Sequence, residues 1–150
     1  MGDDYMNKNA ELLEYIYQNA DMGSKSLTNL LNTINGKDNK IKKIIEDELK
    51  EYERFLKDSK KLMKNYKVEV KSKGIMAGIG SFMGIKMEMF KDNSDARIAD
   101  MLTKGLTMGQ IDITKKIKNY EKVADKEVID LAKKILEFNE NSNNALKSYL

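Results

Sequence analysis

The chain has 150 residues and no proline, cysteine or histidine, which excludes disulfides, thiolate metal sites, cysteine nucleophiles and the imidazole general base in one stroke. Lys and Arg total 27 against 24 Asp and Glu, and only Arg54 and Arg97 are arginine, so the surface lacks the guanidinium forks that read bases and grip phosphates bidentately, and no nucleic-acid partner is expected. Apolar residues at 41% beside 34% charge fit a folded domain, and a chain of this length buries about 70% of the surface it exposes when unfolded.

Without proline, long helices are the default expectation. Met6, Leu13, Ile16, Ala20, Gly23, Leu27, Leu30 and Ile34 recur mostly by three and four, the spacing that lines up one face of a helix. Asn35-Gly36 suits a left-handed C-terminal cap, and Asp38 is placed to cap the next helix. The second stripe runs through Ile41, Ile44, Ile45, Leu49, Tyr52, Phe55, Leu56, Leu62, Met63 and Tyr66, with acidic residues early and lysines late, a gradient that complements the helix dipole. Residues 67–92 differ in character. They open with Val68-Glu69-Val70 and continue through a glycine- and methionine-rich run, read here as a crossover containing a short helix. Ser94 or Asp92 can cap a third long helix, with Ile98, Leu102, Gly105, Gly109, Ile113, Ile117 and Tyr120 on one face, and Asp125 a fourth, with Val128, Leu131, Ile135, Phe138, Ser142, Ala145 and Tyr149.

The halves resemble one another. An offset of 86 pairs Leu12 with Ile98, Ile16 with Leu102, Met22-Gly23 with Met108-Gly109 and Leu27 with Ile113; one extra residue in the turn shifts it to 87, pairing Ile41 with Val128 and Leu49 with Leu136. The predicted fold is therefore all-α: an antiparallel four-helix bundle in a single domain, made of two related hairpins, 3–66 and 93–150, joined by the crossover. The apolar run Ile75–Phe90 contains Ser81, Lys86 and Glu88 and falls short of the roughly 20 residues of a membrane span. The N-terminus shows no basic region followed by an apolar run, so the cytoplasm is the predicted compartment.

This pattern, with Asn19-Ala-Asp-Met-Gly-Ser-Lys-Ser-Leu and its echo Thr107-Met-Gly-Gln-Ile-Asp-Ile, resembles the ferritin-like four-helix-bundle superfamily, in particular small uncharacterised bacterial members, some of them similar to spore-coat-associated proteins. The resemblance implies a bundle with one crossover and, in its metal-binding members, a di-iron site built from two Glu and two Glu-x-x-His pairs. This chain has no histidine, and Glu11, Glu14, Glu48 and Glu51 align with Arg97, Asp100, Ile135 and Phe138. The di-iron ligands are missing, so ferroxidase chemistry and a resident cofactor are not expected.

The weak metal candidates that remain are Glu48, Glu51 and Asp112, which would suit a hard divalent cation. Their plainer assignment puts Glu48 at the interface edge, Glu51 in water and Asp112 beside the stripe, because charged residues are rarely buried unless paired. Gly23, Gly105 and Gly109 stand where large apolar residues would be expected, predicting close helix approach or room for a ligand in a groove. Asn139 and Asn143 flank the last stripe and need partners if buried. In the crossover, Met76, Phe82, Met83, Met87 and Phe90 form the candidate interface, either packed on their own bundle, joining two copies, or contacting lipid or a partner. The expected function is non-enzymatic: self-association, with a homodimer foremost, or binding of another protein. The alternatives are a degenerate ferritin-like protein holding a divalent metal through carboxylates, and a membrane-surface or coat-associated protein.

Overall fold

A computed structural model describes residues 2–70 and 93–150, with side chains from Lys8 onward. The crossover's Met76, Phe82, Met83, Met87 and Phe90, and its predicted short helix, lie outside the described residues. Four long helices account for most of the rest: α1 (Gly2–Thr33), α2 (Lys42–Asn65), α3 (Asp95–Tyr120) and α4 (Lys126–Leu146), with a closing 3-10 turn at Lys147–Tyr149. No strand occurs among the described residues.

The three-and-four spacing of the apolar residues does what it predicts. On α1 it buries Leu12, Leu13, Ile16, Ala20, Leu27, Leu30 and Ile34; on α3 it buries Ile98, Leu102, Leu106, Ile113 and Ile117, and all of them join one hydrophobic cluster with α2 and α4. Each fully buried Leu or Ile contributes about 1.5–3 kcal/mol by leaving water. α1 pairs with α2 and α3 with α4 as antiparallel hairpins. The hairpins meet mainly through α2 and α4, where Phe138 receives the edges of Tyr52 and Phe55 at centroid distances of 5.0 and 5.5 Å.

The ends of the helices show how the hairpins are joined. Asn9 on α1 is fully buried, and its Oδ1 accepts a 2.7 Å hydrogen bond from the Asp125 backbone N–H, at the turn that starts α4. Asp95, 86 residues after Asn9, does the same for the other hairpin: its Oδ2 accepts from the Lys40 N–H at 3.0 Å, and its Oδ1 accepts from the Asn39 amide at 2.8 Å, at the turn that starts α2. The far ends repeat the pattern. The Tyr66 hydroxyl, just after α2, lies within hydrogen-bond reach of the Asp125 carboxylate and of Glu127 (2.7 Å) and gives its one proton to either of them, while the Tyr149 hydroxyl, just after α4, donates to the Lys40 carbonyl at 3.3 Å. Each hairpin thus clamps the turn of the other.

Three details of the termini refine the sequence reading. Ser94 caps α3, its hydroxyl accepting from the Arg97 N–H at 3.4 Å. Asp38 does not cap α2, whose N-cap is Ile41 without a side-chain bond; the Lys40 N–H of that turn is instead met by Asp95 from α3. Gly36 takes the left-handed conformation at φ 80°, as Asn35-Gly36 predicts, but α2 ends in the same way on a non-glycine, Lys67 at φ 56°. There the Val68 N–H reaches the Met63 carbonyl at 2.8 Å and the Lys67 N–H reaches the Lys64 carbonyl at 3.2 Å, a Schellman closure. Tyr66 and Asn93 consequently lie at opposite ends of the bundle, one beside the α4 start and the other beside the α2 start.

Candidate functional site

The buried face of α2 is Ile45, Glu48, Tyr52, Phe55, Ser59 and Met63, a stripe spaced by threes and fours in which one member is a carboxylic acid. Glu48 is only 5% exposed, so the structure corrects its assignment to the interface edge: the helix turns it inward because Ile45 and Tyr52, one turn to either side, are held in the core. The residue 87 positions on, Ile135, is buried on α4. Where α4 has an aliphatic side chain, α2 has an acid.

Glu48 opens onto a groove of about 520 Å³ between α2 and α4, with Ile44, Phe55, Phe138 and Ala145 as apolar walls. Hydrogen bonding by the Ser142 hydroxyl favours its ionised form, but loss of solvent dominates and pushes the carboxyl up to about 7. No cation is paired with it among the described residues, and its Oε1 has no hydrogen-bond partner there. The neighbouring Tyr52 phenol is pushed up, first by burial and then by the Glu48 charge.

The rim of the groove is acidic. Asp47, Glu51, Asp58 and Glu137 face Arg54 and Lys134. Two of those acids are already engaged: Asp47 with Lys43 at 2.7 Å, and Glu51 with Arg54 at 3.3 Å. Glu51 is therefore half-buried and ion-paired instead of standing free in water. Asp112 is not part of this groove. It lies half-buried on α3, where its charge adds to the effect of burial in raising the Tyr15 phenol on α1. The structure brings Glu48 and Glu51 together and leaves Asp112 elsewhere, and the described residues contain no group of three or more acidic side chains placed to hold a metal ion.

The glycines divide. A Cβ on Gly23 would sit 2.6 Å from two ring atoms of Tyr52, so this glycine lets α1 approach an aromatic ring wedged against Phe138. A Cβ on Gly109 would meet only the Asn139 amide, at 3.3 Å. Glycine and neighbour are related by the same sequence offsets of 86 and 87 in both cases, 23 with 109 and 52 with 139. Gly105 is half-buried along the same side of α3.

A second, polar groove of about 470 Å³ runs between α3 and α4 past Thr103, Thr107, Gln110 and Asn143. The Asn143 amide donates to Thr107 Oγ1 (3.3 Å) and Gln110 Oε1 (3.4 Å). Asn143 Oδ1 and Thr103 Oγ1 have no partner among the described residues. Asn139 is buried at 2% exposure, which sequence reasoning left open.

The contacts that sequence reasoning missed are the long-range clamps of Asn9, Asp95, Tyr66 and Tyr149. The offset of 86 that relates Asn9 to Asp95 was the one signal that could have found the first two. No described helix is long and apolar enough to cross a membrane. Compared with protein-family models, curated proteins and solved structures, the chain gives no match.

Proposed function

We propose that this is a non-enzymatic helical-bundle protein that acts by association with another protein chain, a second copy of itself in the first instance, through the groove between α2 and α4. The observation that carries this reading is Glu48: an acid only 5% exposed, with an oxygen unpaired among the described residues, at a groove whose walls are aromatic and aliphatic. Such a residue weakens the isolated fold, and a contact partner that satisfies it accounts for its presence. The composition supports binding over catalysis, because no histidine or cysteine is available anywhere in the chain.

The repeated clamps and the paired glycine contacts support descent of the two hairpins from one duplicated unit. The placement of α2's end and α3's start at opposite ends of the bundle supports a distant relation to ferritin-like bundles with one long crossover. A carboxylate-bound divalent cation is the second reading, favoured by Glu48 Oε1 with Glu51 in the same groove. It is the weaker one, since hard cations ask for six or more oxygens and Glu51 is engaged by Arg54.

Sedimentation velocity over a wide concentration range tests association directly, with Ala145→Trp filling the groove from an exposed position on its wall. The reading predicts reversible assembly that Ala145→Trp abolishes. Assembly untouched by Ala145→Trp, or a monomer at every concentration, contradicts self-association through this face.

A further inference from the structure

We propose that the α2–α4 groove is a recognition site for the ammonium group of a lysine side chain presented by the associating chain, with Glu48 as the anchoring carboxylate. This deepens the association reading above and rests on it.

Three observations converge. The acid at the groove is buried, and its Oε1, itself covered from solvent, has no hydrogen-bond partner among the described residues, so a donor that parts the side chains over it meets an unpaired acceptor. The walls beside it, Phe55, Phe138 and Ile44, suit a short aliphatic stem, which lysine carries behind its charged tip. The rim charges then choose among cations. On α2 these are Asp47, Glu51, Arg54 and Asp58, and on α4 Lys134 and Glu137; Asp47 is paired with Lys43 and Glu51 with Arg54, which leaves Glu48, Asp58 and Glu137 against Lys134, so the groove attracts a cation, in a chain whose net charge is +3. Arg54 and Lys134 disfavour a second positive charge close to the first, which sets a single lysine above a linear polyamine. Ser142 already bonds the carboxylate and leaves only Oε1 open, so a compact ammonium fits better than a planar guanidinium, whose two-pronged match needs both oxygens. The chain itself has 25 lysines, so a second copy can supply the group.

The ammonium pairs with ionised Glu48, and binding therefore expels the proton that burial keeps on the carboxyl near neutrality. Because burial places that proton's release at about 7, affinity should rise roughly tenfold from about pH 6 to about pH 8 while the lysine stays charged throughout.

The test is titration of the full chain with an end-capped Ala-Lys-Ala peptide, followed by amide NMR shifts. Parallel arms use capped Ala-Gln-Ala, 1,4-diaminobutane and manganese(II) chloride, and each is repeated on Glu48→Gln and Glu137→Gln. The proposal predicts saturable shifts on α2 and α4 with the lysine peptide, stronger at the higher pH. They should be at least tenfold weaker in Glu48→Gln and only slightly weaker in Glu137→Gln, a rim variant that leaves the core alone. Absence of saturation, equal binding by Glu48→Gln or the glutamine peptide, tighter binding of the diamine, or saturable manganese binding that displaces the peptide would each overturn it. The sedimentation experiment with Ala145→Trp reads association independently, so a groove that joins copies without taking lysine is told apart from one that joins nothing.

Discussion

Replacing Glu48 with glutamine should stabilise the protein in mildly alkaline solution and leave it nearly unchanged in acid. The native environment moves the carboxyl from its ordinary 4.5 to about 7, chiefly by desolvation. At 1.36 kcal/mol for each tenfold change in proton affinity, the ionised side chain costs the fold about 3 kcal/mol. Below pH 4.5 both native and unfolded chains hold the proton, and the cost is absent. Between 4.5 and 7 the unfolded chain releases its proton while the native one keeps it, so stability falls as pH rises; above 7 the full cost is present. Glu48→Gln has no proton to release and keeps a carbonyl oxygen for the Ser142 hydroxyl. Urea denaturation followed by circular dichroism, at about pH 4.5 and about pH 8, should therefore show the variant gaining about 2–3 kcal/mol relative to wild type between the two conditions. Taking the difference between pH values cancels any constant effect of the amide on packing. Parallel pH profiles for the two proteins would refute the reasoning, because they would mean that Glu48 is solvated or paired in the native state.

Two further substitutions probe the packing and the clamps. Gly23→Ala should destabilise by about 1–2 kcal/mol in thermal or urea unfolding, since its Cβ would press on the Tyr52 ring at 2.6 Å and overpacking outweighs the roughly 1 kcal/mol gained in helix propensity; Gly109→Ala, which meets only the Asn139 amide at 3.3 Å, should be neutral or stabilising by up to about 1 kcal/mol. Asn9→Ala should cost about 1–2 kcal/mol in the same assays, because it leaves the Asp125 N–H without its acceptor and opens a gap at a fully buried position.

The architecture was legible because it depends on side-chain period alone. Ile16, Ala20, Leu27, Leu30 and Ile34 mark the inner face of α1 without reference to anything distant, and the same holds for Ile98, Leu102, Ile113 and Ile117 on α3. The site was harder to read for a specific reason. On α2 the apolar residues Ile44, Leu49 and Leu56 pull the inferred stripe to one side, whereas the buried positions are Ile45, Glu48, Tyr52, Phe55, Ser59 and Met63. Period places Glu48 inside, residue type places it outside, and on this helix period wins because Tyr52 and Phe55 are fixed against Phe138. The clamps were illegible for another reason. Asn9 to Asp125 and Tyr66 to Glu127 join residues 116 and 61 apart in the chain, and no local pattern announces such a pair. Lys67 shows the same limit at short range: a lysine in the left-handed conformation closes α2 where sequence rules look for glycine.

At the groove between α2 and α4 a carboxylic acid is buried with no cation paired to it among the described residues. Carbon-13 NMR of the side-chain carboxyl of Glu48 across a pH titration, alone and with the capped lysine peptide, measures that state directly. The account predicts a midpoint near 7 in the free protein, drawn downward as the peptide saturates. A midpoint near 4.5 in the free protein, or one that the peptide leaves in place, would contradict it.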